Sequence, residues 1–152
     1  MDNNVFLAIK AAIVAFAGAF SAAFGWLGWL IVAWVFCMVV DYISGSAAAM
    51  QAGEWSSAAA RAGIWHKGGM ILVVIAAAIA DAVLGMVLAE IPALPVEYTV
   101  LVLPIVMVWY ILTELGSILE NAAAMGAPVP EFLVSLLAAA KDKVEDTADK
   151  TE

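Results

Sequence analysis

The chain is 152 residues long, 66% apolar and only 13% charged, with a mean hydropathy of +1.03. Soluble domains run roughly 45–50% apolar and about 25% charged, and a chain of this size buries only about two-thirds of its surface on folding, so a soluble globular fold is excluded. The net charge of −8 argues against nucleic acid as a partner, which needs a basic face. The class that remains is an all-α integral membrane protein forming one domain, residues 1–152.

The chain begins MDNN, without the basic start of a cleavable signal peptide, so the apolar stretch that follows is expected to be retained. Segment one, residues 5–24, is alanine-rich. Ala11, Ala15, Ala19 and Ala23 lie on one stripe that permits close backbone approach between membrane helices, and Phe16, Phe20 and Phe24 lie beside it. Lys10 is near enough to the end to snorkel outward. The segment reads either as a true span or as a helix lying in the interface, giving three to four transmembrane helices in all.

Gly25-Trp26-Leu27-Gly28-Trp29 reads as a tight turn at headgroup level, where tryptophan is favoured. Segment two, residues 27–43, has about the minimum spanning length. Asp41 and Tyr42 close it as interface anchors, and Gly45 is expected to end the helix. Its Cys37 is the chain's one cysteine and reads as a small buried or lipid-facing hydrophobe. Residues 46–68 form a polar interruption in which Ser56-Ser57 can cap a short helix. His66 has no second histidine to make a metal or catalytic arrangement and reads as an interfacial structural residue.

Segment three, residues 69–90, carries Asp81 near its middle. Ten residues of this stretch are Leu, Ile or Val, each favouring insertion by roughly 0.3–0.6 kcal/mol. A central Asp opposes it by about 2.5–3.5 kcal/mol, so the segment still inserts and carries an acid that is expensive to keep there. Asp81 reads as a group hidden by protonation or pairing in a closed state and exposed to water in an open one; the competing reading is a helix–helix hydrogen bond without a gating role.

Pro92 and Pro95 punctuate a loop over residues 91–96. Segment four, residues 98–119, has Pro104 in its first turns, where a kink is tolerable because neighbouring helices re-satisfy the backbone. Thr113, Glu114, Ser117, Glu120 and Asn121 recur at helical spacing and form one polar face, read either as pore lining or as a cytoplasmic extension that anchors the next turn. Gly126 ends this helix, and Pro128 and Pro130 enforce the break. A short cytoplasmic C-terminal helix, residues 131–144, and a frayed charged tail, residues 145–152, complete the chain.

Lysine and arginine set orientation. Arg61 and Lys67 lie in the middle interruption and Lys141, Lys143 and Lys150 near the end, which places both on the cytoplasmic side and the proline loop outside. The N-terminus is cytoplasmic if segment one spans and external if it lies flat. No nucleophile–base pair, phosphate loop or metal-ligand pair is visible, so no enzymatic activity, cofactor or metal is expected.

Four pieces, in order, resemble the phage-lysis and toxin-secretion holin family over roughly residues 29–143. They are Asp41-Tyr42-Ile43-Ser44-Gly45; Ser56-Ser57 with Gly63-Ile64 and Lys67; Asp81; and Glu114-Leu115-Gly116-Ser117-Ile118-Leu119-Glu120-Asn121 followed by Gly126-Ala127-Pro128-Val129-Pro130. Three features depart from the family pattern: Thr113 stands where it often has Asn, the middle segment has fewer lysines, and the tail is net acidic. The resemblance implies a homo-oligomer that opens non-specific holes in the bacterial cytoplasmic membrane. Its partners would be itself, the lipid bilayer, an endolysin that is released rather than bound, and possible antiholin control. A toxin-export pore is the nearest alternative, and a non-lytic transporter or membrane scaffold the more distant one.

Overall fold

The computed structural model describes residues 3–91 and 99–149. Four helices account for nearly all of them: α1 (Asn3–Ala52), α2 (Ser57–Ala89), α3 (Val102–Ala124) and α4 (Glu131–Asp149). The first three are long and apolar enough to cross a membrane. The all-helical, multi-pass reading of the sequence therefore stands. The prolines at 92 and 95 and the expected start at Tyr98 lie outside the described residues.

α1 is two arms joined at Gly25, whose φ of 59° and ψ of −157° break an otherwise continuous helix. The expected five-residue turn is thus a one-residue kink. The bend draws Ser21 against Trp29, whose Nε1–H donates to the serine hydroxyl at 2.7 Å. Eight residues of straight helix would hold those two about 12 Å apart along the axis. Phe20 packs on both Phe24 and Trp29, with ring centroids at 4.9 and 5.0 Å. Gly28 sits inside the bend: a Cβ there would lie 2.5 Å from that of Phe24. The first arm is otherwise largely exposed.

The sequence reading ended segment two at Gly45, yet α1 continues to Ala52. The residues that follow are mostly alanine, the best helix former, and carry the helix past the glycine. The actual stop is Gly53, at φ 73°. Glu54 N–H bonds to Ala49 C=O and Gly53 N–H to Met50 C=O, the paired bonds that close a helix on a left-handed glycine.

The middle interruption is likewise mostly helix. Ser56 Oγ accepts from Ala59 N–H at 3.1 Å and caps α2. That helix is not short: it runs 33 residues to Ala89 and includes the expected third span. With no proline between them, polar start and apolar run share one hydrogen-bond ladder, and only residues 53–56 separate α1 from α2.

α3 is the element on which α1, α2 and α4 all pack, while α1 and α2 barely touch each other. Trp34 and Met38 of α1, Met70 of α2 and Met107 of α3 form the buried cluster. Trp34 stacks on Tyr110 with centroids 6.0 Å apart. Unbranched methionines fill the irregular gaps between three helices. The second arm of α1 runs parallel to α3 and α2 runs antiparallel to both, as the pairs Trp34–Tyr110, Lys67–Glu114 and Asp81–Leu103 require.

α3 closes as the sequence suggests. Gly126, at φ 89°, sits between the bonds Gly126 N–H to Ala123 C=O and Ala127 N–H to Ala122 C=O. Pro128 and Pro130 occupy the link, and α4 then folds back along α3. α4 extends to Asp149, beyond the expected end at residue 144, so the start of the charged tail is helical. Trp109 explains the extension: its Nε1–H donates to Glu145 at 2.8 Å, and Lys141 Nζ sits 4.3 Å from the centre of an indole ring of the same residue.

Candidate functional site

Among the described residues, two polar clusters interrupt the apolar packing. The first joins three helices through Lys67. Lys67 stands at the border where α2 turns apolar, one residue before the run from Gly68 to Ala89. Its Nζ donates to both carboxylate oxygens of Glu114 on α3, at 2.6 and 2.8 Å, and to Asp41 Oδ2 on α1, at 2.9 Å. Glu114 is almost fully buried, at 3% exposure. A carboxylate in that position is held only by a partner, and removing one member of such a pair costs far more than the pair contributes.

Asn121, two turns along α3 from Glu114, clamps the other side of Asp41. Its Nδ2 donates to Asp41 Oδ1 at 3.0 Å and to Ser44 Oγ at 3.1 Å. The approach depends on Gly45, where an added Cβ would lie 3.3 Å from the same nitrogen. The motif glycine is thus a contact point between α1 and α3 rather than a terminator. Asp41, Tyr42, Gly45, Lys67, Ser117, Glu120 and Asn121 line an open cavity of about 340 Å³ that reaches back to Trp55 and Ser56 at the head of α2. Tyr42, expected as a headgroup anchor, lines this cavity and lies 3.9 Å from the Cβ position of Gly63.

The second cluster is Asp81, 5% exposed. Its Oδ1 accepts from Leu101 N–H and Val102 N–H at 3.1 and 2.9 Å, and its Oδ2 from Leu103 N–H at 2.7 Å. These are the amides at the start of α3 that have no acceptor within their own helix. The next residue, Pro104, has no N–H to satisfy, and the helical ladder begins with Ile105 N–H to Leu101 C=O. Pro104 therefore sits in the first turn of α3, as the sequence reading placed it, where its missing N–H strands no acceptor. The carboxylate also meets the positive end of the helix dipole.

Fourteen residues separate Lys67 from Asp81, or roughly 21 Å along α2, so the two clusters are well apart. Asp81 is only 5% exposed, and the first amides of α3 find their acceptor in its side chain. The sequence reading of a paired, hidden acid agrees with this geometry, and its partners are backbone amides; Lys10 instead lies over the ring of Phe6.

The polar motif residues thus divide. Asp41, Tyr42, Gly45, Glu114, Ser117, Glu120 and Asn121 gather at one end of the helices; Asp81 lies further along, at the start of α3; Gly126, Pro128 and Pro130 build the link to α4. Lys67 is the residue that sequence reasoning passed over as a member of this site. Its signal was its place as the last charge before a long apolar run. No group of three or more metal-ligating side chains occurs among the described residues.

Comparison with known proteins places this arrangement. Residues 18–142 match the bacteriophage holin family. An uncharacterized protein of Listeria innocua is 33% identical over 142 residues, covering 93% of both chains. One of Listeria monocytogenes is 34% identical over 129 residues, covering 85% of this chain and 84% of its own. One of Clostridium perfringens is 28% identical over 131 residues, covering 86% and 89%. No solved structure matches the chain.

Proposed function

The chain belongs to the bacteriophage holin family, and on that footing we propose that it collects in the cytoplasmic membrane of a bacterial host and self-associates there into non-specific, water-filled lesions. An endolysin leaves the cytoplasm through them without being bound, and lysis follows. No bond in a substrate is made or broken; the activity is a breach. Arg61, Lys67 and the link through Gly126 and Pro130 face the cytoplasm.

The observation that carries this reading is the family match over helices that bury so little of themselves. Phe6, Ile13, Phe16, Phe36, Leu72 and Ile79 all remain about half or more exposed, so each helix has apolar surface left for lipid or for further copies. Association between such helices is weak per contact, about 0.6 kcal/mol for an average interhelical hydrogen bond. Many weak contacts in one assembly produce a steep dependence on concentration. The Lys67 network and the Asp81 cap are the internal polar contacts such an assembly can exchange for water.

Timed expression in a bacterium tests the reading. Growth should halt abruptly at a reproducible time, with release of a co-expressed cytoplasmic cell-wall hydrolase. Continued growth with the hydrolase retained would refute it. The same pore serving toxin export would release a co-expressed toxin in place of the hydrolase.

A further inference from the structure

α1 and α2 run antiparallel, and α3 holds each of them, yet they barely touch one another. A groove is left between them. Val35, Tyr42 and Ala49 lie along it on α1, and Ser56, Gly63 and Lys67 line it from α2. From Val35 to Ala49 is fourteen residues, or roughly 21 Å of helix.

The groove changes character along its length. One half is the polar cavity of about 340 Å³, to which α3 adds Ser117, Glu120 and Asn121. The other half is an apolar slot of about 380 Å³, with Val35, Val39 and Ile43 of α1 on one side and Ile64 and Ile71 of α2 on the other. Tyr42 and Lys67 line both, so the halves meet there. The chain itself does not fill the slot: Val39 is 50% exposed and Ile64 57%.

The polar half has bonding capacity left over. Among the described residues, the side chains of Tyr42, Ser46, Ser117 and Glu120 have no hydrogen-bond or ion-pair partner. The three hydroxyls can donate to a phosphate oxygen, whereas the Glu120 carboxylate can only accept. Lys67 cannot serve Glu120, because its ammonium is already bonded to Asp41 and Glu114. Three carboxylates against one cation leave this end negative, and Glu120 calls for an ammonium from outside. The indole of Trp55 on the same wall offers that ammonium a ring face.

A molecule carrying an ammonium, a phosphate and an apolar chain in that order matches these surfaces in turn. We propose that the α1–α2 groove holds one aminophospholipid molecule, its zwitterionic head in the polar cavity and one acyl chain along the apolar slot. A slot of that volume suits a single chain better than a helix of a second copy, 10–12 Å across with its side chains. The site is independent of the lesion reading above and can fail without it.

The test uses the full-length protein in a maltoside detergent and reads the unfolding midpoint, which rises when a ligand binds the folded chain. The probes are short-chain phosphatidylethanolamine, short-chain phosphatidylglycerol and free phosphoethanolamine, the same head without chains. The ethanolamine lipid should raise the midpoint at a concentration about tenfold or more below that required of the glycerol lipid, the difference made by a hydrogen bond to a charged group. Free phosphoethanolamine should be far weaker than the lipid. Glu120→Gln should bring the two lipids to equal effect, and Val39→Trp, which fills the slot from an exposed position, should abolish the response to both. An equal response of the wild-type chain to the two lipids overturns the proposal, as does no response, or a free head as effective as the lipid. A midpoint that rises with protein concentration and not with lipid also overturns it, and assigns the groove to a second copy. The wild-type comparison of the three probes decides the matter even if a variant fails to fold.

Discussion

The carboxylate of Asp81 stands 2.7 Å from the amide nitrogen of Leu103, so the middle of one apolar helix caps the beginning of another. This contact lets α3 start without stranding its first amides. It also ties α2 to α3, because the three amides lose this acceptor if the helices part.

Asp81→Asn keeps the size of the side chain and removes its charge. Its amide group faces N–H donors with one oxygen and one NH₂, so part of the cap becomes a donor–donor clash. We expect a loss of about 1–2 kcal/mol, in the range of an N-cap, seen as a lower unfolding midpoint in detergent, together with a shift in the time of lesion onset. Unchanged onset would remove Asp81 from gating and leave it a purely structural cap.

Lys67→Met leaves Glu114 and Asp41 facing each other without their shared cation. The cost expected is about 3–5 kcal/mol, that of a buried charge stripped of its partner. Lys67→Met with Glu114→Met should recover part of this, with a coupling of about 0.5–3 kcal/mol in a double-mutant cycle. Additive thermal shifts in detergent would show that the two side chains do not interact.

Gly28→Ala places a methyl group 2.5 Å from the Cβ of Phe24. The two arms of α1 must open to admit it, at about 1–3 kcal/mol for an overpacked contact. Spin labels at Ala17 and Ala33 should then move apart, toward the roughly 24 Å axial separation of a straight helix. An unaltered distance would mean that Gly25 alone sets the bend.

Gly45→Leu sets a branched side chain where Asn121 Nδ2 lies 3.3 Å from the Cβ position. The bonds from Asn121 to Asp41 and Ser44 should be lost, at about 1–3 kcal/mol for the polar groups left unpaired. Gly45→Ala asks for a shift of only a few tenths of an ångström and should cost less. Equal unfolding midpoints for the two variants would contradict the clamp.

What the sequence made legible was local. Ser56 as a cap, Gly126 as a stop and the start of α4 at Glu131 each depend on residues within one turn, and each stands in the structure. One local reading failed because a stronger local term opposed it: alanines carry α1 through Gly45. The polar site was half legible. Its acids stood out because they sit beside or within apolar runs, but the bonds that join them span 26, 47 and 80 residues, and no spacing rule links Lys67 to Asp41 and Glu114 or Asn121 to Asp41. The fold-back of α4 was hidden for the same reason, since Trp109 meets Glu145 across 36 residues.

The central claim is that these helices gather in lipid into a water-filled breach wide enough for a protein. Reconstitution into vesicles loaded with both a small dye and a folded enzyme, over a series of protein-to-lipid ratios, tests it most directly. The account predicts that both cargoes escape together above a sharp threshold ratio. Retention of the enzyme at every ratio, with dye leaking in proportion to protein or not at all, would contradict it.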